Sequence, residues 1–248
     1  MMLRVKVWRQ NGREQKGRFE EYVLEDADPL MSILEMLDAL NASLMKQNIA
    51  PIAFDSDCRE GICGACALMV NGRPNGFAQN MPACHQRLGE LEEGTRITIE
   101  PLRSGLYPVI RDLVVDRSIL DHLMGTGGAA STKTGAAPDA DGLPIGKDRA
   151  LEALDLGACI GCGVCVAACP NGSAALYAGA RLASLALLPI PSKERRKRAL
   201  DMSKALESFF GGCSGYAECV RACPAKLPLG VTGVVTRERW GALFHRKN

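Results

Sequence analysis

The residues of this 248-residue chain whose type and spacing could do chemistry are its 11 cysteines. A thiolate serves as a nucleophile, a disulfide partner or a metal ligand. An odd number cannot pair completely into disulfides. Residues 1–10 alternate apolar and charged side chains and lack the apolar stretch that directs export. Such a chain is expected where thiols stay reduced, and metal ligation is the use that accounts for the spacing. The cysteines fall in two groups, residues 58–84 and residues 159–223.

The first group reads Cys58-Arg-Glu-Gly-Ile-Cys63-Gly-Ala-Cys66 and closes with Cys84. Three thiols in one short loop with a distant fourth is the plant-type spacing for a [2Fe–2S] cluster. Four thiolates must converge there, so the loop has to curl tightly. Gly61 and Gly64 permit this, because glycine turns without a Cβ clash and leaves N–H groups aimed at the sulfurs. A zinc site is the alternative, although zinc favours two short Cys pairs. A Rieske centre needs two His beside two Cys. His85 follows Cys84, but neither His122 nor His245 neighbours a spare cysteine, so His85 reads as an ordinary polar residue near the loop.

The second group contains Cys159, Cys162, Cys165 and Cys169-Pro170 at the spacing of a bacterial ferredoxin run. A second copy follows as Cys213, Cys219 and Cys223-Pro224, with Tyr216 where a cysteine would stand. In two-cluster ferredoxins the fourth Cys of each run ligates the other cluster. That rule gives Cys159, Cys162, Cys165 and Cys223 to a [4Fe–4S] cluster. Cys169, Cys213 and Cys219 remain, and a cubane corner without a thiolate loses its iron, so the expected product is [3Fe–4S]. The three sets use every cysteine. The alternatives are a water or another residue holding a fourth iron, or a double zinc site. Pro170 and Pro224 turn the chain away after each run. Tyr216 reads as filled space, with tuning of the third cluster as the alternative.

The elements that must position these thiols are of two kinds. Leu3, Val5 and Val7 alternate with polar residues as in a half-buried strand, and residues 19–24 read as its hairpin partner. Asp28-Pro29 reads as a helix start, followed by Leu30, Ile33, Leu34, Leu37 and Leu40 on one core face. Residues 67–70 form a strand entering the Asn71-Gly72 turn, and residues 96–100 another. A small mixed sheet on one helix is the β-grasp layout. Residues 148–156, with an apolar stripe, residues 174–188 and residues 192–210 read as helices, the last two separated by Pro189-Ile190-Pro191. The expected fold is therefore α+β: an N-terminal β-grasp domain of the plant-type [2Fe–2S] ferredoxin kind (residues 1–120), a Gly-rich linker (121–147), and a helical domain of the bacterial ferredoxin kind (148–248).

Net charge is +2, which gives no electrostatic reason to expect nucleic acid as a partner. The longest apolar run, residues 182–190, is broken by Ser184 and Pro189 and falls short of a membrane span. The basic run at residues 193–198, KERRKR, reads as a solvated helix face, with proximity to anionic lipid headgroups as the alternative. Nucleotide-binding and nucleophile-elbow motifs are lacking, and no catalytic group stands beside the cysteines. The chain is expected to pass electrons between partners that do the chemistry.

CREGICGAC at 58–66, PLRSGLYPVIRDLVVD at 101–116, CIGCGVCVAACP at 159–170 and the interrupted run at 213–224 together resemble the iron–sulfur subunit of succinate dehydrogenase and fumarate reductase. The resemblance spans nearly the whole chain. It implies a flavoprotein partner whose FAD oxidises succinate or reduces fumarate, and a membrane-anchor partner that binds quinone. Electrons would pass from flavin through [2Fe–2S], [4Fe–4S] and [3Fe–4S] to quinone, or the reverse. It also implies a peripheral place at the cytoplasmic face of the cell membrane. Two departures bear on the quinone. Ubiquinone-reducing members carry Trp after the Cys-Pro and His after the next cysteine, whereas this chain has Asn171 and Ser214. A menaquinone-type enzyme with a different anchor is the reading. The gap between Cys66 and Cys84 is also long for the family, so residues 71–81 are expected to form a rebuilt loop. Two rivals remain: a subunit of another flavin-linked oxidoreductase, argued against by the loop at Cys58 and by Tyr216, and a soluble ferredoxin, argued against by the extra helices.

Overall fold

Leu3, Val5 and Val7 are fully buried along β1 (Leu3–Arg9), which pairs antiparallel with β2 (Arg18–Leu24) and parallel with β5 (Arg96–Pro101). Strand β3 (Leu68–Val70) joins β5 antiparallel, and the Asn71-Gly72 turn, with φ of 50° and 74°, returns the chain into β4 (Arg73–Pro74). The sheet order is β2-β1-β5-β3-β4, with β6 (Val109–Arg111) and β7 (Val114–Val115) as a separate pair. Against this mixed sheet lies α1 (Ile33–Lys46), whose Ile33, Leu34, Met36, Leu37, Leu40 and Leu44 are buried in one core with Ile97 and Ile99. This is the expected β-grasp arrangement. The structure is a computed structural model that describes residues 1–92, 94–129 and 145–244.

Helix α1 starts later than Asp28-Pro29 suggests. Ser32 is its N-cap: the Ser32 hydroxyl accepts from Glu35 N at 3.2 Å, and the Glu35 carboxylate accepts from Ser32 N at 2.6 Å. This reciprocal capping box satisfies two helix-end donors. It leaves Leu30 outside the helix and 76% exposed, so Leu30 does not belong to the core face.

The described residues divide into two compact units. One comprises Met1–Arg117 with Ile160–Ala168 and Arg221–Pro224; the other comprises Ser118–Cys159, Cys169–Val220 and Ala225–Asn248. The second unit is helical. Its centre is α5 (Ala175–Leu187), where Leu176, Tyr177, Ala178, Ala180, Leu182 and Leu185 are all buried. A helix apolar on nearly every side must be enclosed, and α3 (Lys147–Gly157), α6 (Ser192–Phe209) and α8 (Val234–Phe244) pack around it. Gly179 lets the chain at Val231 approach, since a Cβ there would lie 2.1 Å from the Val231 carbonyl oxygen.

Three expectations change here. In α3 only Ala153 is buried, while Leu151 and Leu154 are exposed, so its apolar stripe is not a core stripe. In α6 the basic run is not wholly solvated: Arg198 is buried and donates to the carbonyls of Gly127 and Ala129 and to Glu194, and Arg195 pairs with Glu238. The expected linker begins as helix, with α2 (Ser118–Leu123) followed by a π-helical turn at Met124–Gly128; residues 130–144 of it lie outside the described residues. Among the described residues no helix is long and apolar enough to cross a membrane. The short helices α4 (Val164–Ala168) and α7 (Glu218–Ala222) lie within the two ferredoxin-type runs.

Removing the capping hydroxyl by Ser32→Ala is expected to lower stability by about 1 kcal/mol, read as a lower thermal midpoint. A midpoint equal to that of the parent chain would mean the cap contributes nothing.

Candidate metal centres

None of the cysteines forms a disulfide. Cys58, Cys63, Cys66 and Cys84 come together in the first unit. Arg59, Gly61 and Gly64 have φ of 55°, 75° and 73°, so the loop is built from left-handed turns. Backbone N–H groups point back to the cysteine sulfurs, among them Glu60 N to Cys58 Sγ at 3.3 Å and Ala65 N to Cys63 Sγ at 3.4 Å. Arg59 ties the loop to α1 through both oxygens of Asp38. Cys84 stands on a short 3₁₀ turn, Ala83–His85, and Gln86 just beyond accepts from Ile33 N through its carbonyl. The Gln86 side chain is fully buried and makes a two-way bond with the backbone of Ala78, so it pins the long stretch between Cys66 and Cys84 beside the fourth cysteine. His85 packs against the loop, 3.2 Å from where a Cβ on Gly61 would sit.

The thiols of this set sense one another. Burial first, and then the neighbouring Cys66 sulfur, push the Cys84 thiol up to about 12. Backbone N–H groups of Glu60 and Ile62 pull the Cys58 thiol down to about 7. Thiolates crowded this closely repel unless cationic iron lies between them, so the donor set fits a cluster. Among the described residues no three Cys, His, Asp or Glu side chains converge at the spacing of a single-ion site. A cluster instead spreads its thiolates over several irons.

Cys169, Cys213 and Cys219 line one narrow cleft in the second unit. Tyr216, Ser173 and Leu229 complete the lining. The Cys219 thiol is raised by burial and then by the charges of Cys169 and Cys213, which places the three sulfurs in electrostatic contact. Tyr216 is 61% exposed, so its ring does not fill the fourth corner as a buried plug. Asn171 donates to the Gly212 carbonyl at 3.0 Å and to Ser214 Oγ at 2.8 Å, so the two residues that depart from the family pattern hold one another.

Cys162, Cys165 and Cys223 belong to the first unit, and Cys159 directly precedes its segment Ile160–Ala168. Side chains that the sequence did not single out hold the backbone of this set. Asn80 donates from its backbone to the Arg221 carbonyl and from its side chain to the Cys223 carbonyl, both at 2.9 Å. Tyr107 donates to the Gly163 carbonyl at 3.1 Å. Arg117 donates to the carbonyls of Cys162 and Gly64. In the second unit, Arg181 donates to the Cys159 carbonyl at 2.7 Å. Tyr107 lies inside the recognisable stretch 101–116 and Arg117 immediately after it, which is the one signal that could have pointed to them.

Comparisons with known proteins agree with this geometry. Residues 4–122 match the family model described as a 2Fe-2S iron-sulfur cluster binding domain, and residues 158–227 match a 4Fe-4S dicluster domain. The chain is 30% identical over 195 residues to the succinate dehydrogenase iron-sulfur subunit of Bacillus subtilis, covering 74% of this chain and 70% of that one. It is 30% identical over 241 residues to the fumarate reductase iron-sulfur subunit of Wolinella succinogenes, covering 92% of each. The solved Mycobacterium smegmatis Sdh1 complex in the apo form contains a chain of the same fold, with a TM-score of 0.75 at 21% identity over 100% of this chain and 98% of that chain.

Gly64→Ala is expected to abolish or greatly reduce loading of the first cluster. Its φ is left-handed, and the added Cβ would lie 2.5 Å from the Ile160 carbonyl oxygen. Gly105→Ala, at an ordinary φ with open space around it, is expected to retain the clusters. Visible absorption and iron content of the two purified variants measure the difference, and equal loading would contradict it.

Proposed function

This chain belongs to the iron–sulfur subunits of the succinate dehydrogenase and fumarate reductase family, and from that premise we propose the redox path its cysteines serve. It is an electron-transfer subunit of an oxidoreductase complex. Its electrons are exchanged with the FAD of a flavoprotein subunit that interconverts succinate and fumarate, and with a quinone at a membrane-anchor subunit. The anchor holds it peripherally at the cytoplasmic face of the cell membrane. Bound clusters supply one-electron steps between a two-electron flavin and a two-electron quinone.

Cys58, Cys63, Cys66 and Cys84 hold the [2Fe–2S] cluster; Cys159, Cys162, Cys165 and Cys223 hold the [4Fe–4S] cluster; Cys169, Cys213 and Cys219 hold the [3Fe–4S] cluster. The first set lies in the plant-type domain, residues 1–120, and the other two in the ferredoxin-type domain, residues 148–248. The observation that carries the third assignment is the cleft lined by three thiols, with Tyr216 at the sequence position of the fourth cysteine. A phenol is a poor substitute for thiolate at an iron corner, so this set stops at three irons. Loop N–H groups donate to the sulfurs of Cys58 and Cys63, stabilising negative charge on the set. Asn171 and Ser214, bonded to one another, replace the Trp and His expected beside a ubiquinone, and this supports a menaquinone-type acceptor.

Tyr216→Cys is the direct test. The parent protein is expected to hold about nine irons per chain and to give a near-isotropic paramagnetic signal when oxidised, as a [3Fe–4S] centre does. The variant is expected to gain one iron and lose that oxidised-state signal. A parent chain that is silent when oxidised would overturn the third-cluster assignment.

A further inference from the structure

Backbone contact brings the first-cluster loop against the first ferredoxin-type run, at Ile160 and Cys162, inside the first unit. A Cβ on Gly64 would lie 2.5 Å from the Ile160 carbonyl oxygen and 3.0 Å from the Cys162 Cα and N. Gly64 stands between Cys63 and Cys66, and Cys162 is a ligand candidate of the next set. One side chain spans the contact. Arg117 Nη1 donates to the Gly64 carbonyl at 2.8 Å and the Cys162 carbonyl at 2.7 Å, and Nη2 donates to the Ala65 carbonyl at 3.3 Å. All four residues belong to the same compact unit.

We infer that Arg117 is a positioning residue for electron transfer: one guanidinium locks the first two cluster loops at a fixed separation and raises the reduction potentials of both. This rests on the ligand assignment proposed above.

Two properties make arginine suited to the task. Its planar fork presents several donors in fixed directions, so it can hold carbonyls from two loops in one geometry, which a lysine point donor cannot. It also carries a permanent positive charge. Among the described residues no carboxylate lies within ion-pair distance of Arg117, while Asp112 and Asp116 nearby in sequence pair with Arg9 and Arg13. Its charge is therefore met only by carbonyl dipoles. Reducing a cluster adds negative charge, so an uncompensated cation beside the ligand loops favours the reduced form, and in a half-buried site that influence is weakly screened. A carbonyl bound to an outside donor is also kept from turning its oxygen toward an anionic cluster. Tyr107 at Gly163 and Asn80 at Cys223 hold their carbonyls in the same way, but neither is charged.

The experiment is a potentiometric titration of the purified whole complex followed by electron paramagnetic resonance, comparing the parent with Arg117→Gln and Arg117→Lys. Arg117→Gln is expected to shift the [2Fe–2S] and [4Fe–4S] midpoints to more negative values while leaving the [3Fe–4S] midpoint in place. Arg117→Lys keeps the charge and loses the fork. It is expected to shift the midpoints less, yet to alter the relaxation enhancement that the reduced second cluster imposes on the first. Three results overturn the inference: unchanged midpoints in the fully loaded Gln variant, an equal shift of all three clusters, or failure of both variants to load clusters, which would make Arg117 an assembly residue. A parent complex lacking the first- and second-cluster signals would instead overturn the ligand assignment and this inference with it.

Discussion

Mutual repulsion among converging thiolates is the constraint on which the rest of this structure depends. Burial first, and then the neighbouring Cys66 sulfur, push against ionisation of Cys84, and Cys219 is raised by burial and then by Cys169 and Cys213. Such arrangements exist only if the surrounding chain enforces them and if cationic iron relieves them. The enforcement is visible in the backbone: the left-handed turns at Arg59, Gly61 and Gly64, the capping box that fixes the end of α1 beside the Cys84 turn, and Gln86 buried between them. The β-grasp sheet and its helix act as the rigid frame that keeps these loops from relaxing apart.

The two sequence-defined regions and the two compact units do not coincide. The ferredoxin-type region matches residues 158–227, yet Ile160–Ala168 and Arg221–Pro224 pack within the first unit. The donors Asn80, Tyr107 and Arg117 explain this in physical terms. Each satisfies backbone carbonyls in the cysteine runs that would otherwise be left without partners, which would be costly once half-buried. A run of cysteines at ferredoxin spacing is thus anchored from outside itself, at Cys162, Gly163 and Cys223.

What was legible in the sequence was local. Alternation in β1, the Asn71-Gly72 turn, the Pro189–Pro191 break between α5 and α6, and the cysteine frames each reflect short-range rules. Where two short-range signals competed, the choice went wrong: Asp28-Pro29 imitates a helix start, but Ser32 with Glu35 three residues on is the cap that the fold uses. The basic run in α6 reads as solvated in the sequence because its burial depends on distant partners. Arg198 is buried because carbonyls of Gly127 and Ala129 need donors, and nothing near Arg198 in sequence announces them. The same holds for Arg117, Tyr107, Asn80 and Gln86, whose partners lie across the fold.

On the proposed ligand sets, one chain holds three clusters and the third is complete with three irons. Mössbauer spectroscopy of the whole complex enriched in ⁵⁷Fe tests this most directly, because each cluster type contributes area in proportion to its irons. Three components in a ratio of about 2:4:3 are expected, the last with the parameters of an all-ferric [3Fe–4S] centre in the oxidised protein. A ratio of about 2:4:4 with two [4Fe–4S] components, or the absence of any [3Fe–4S] component, would contradict it.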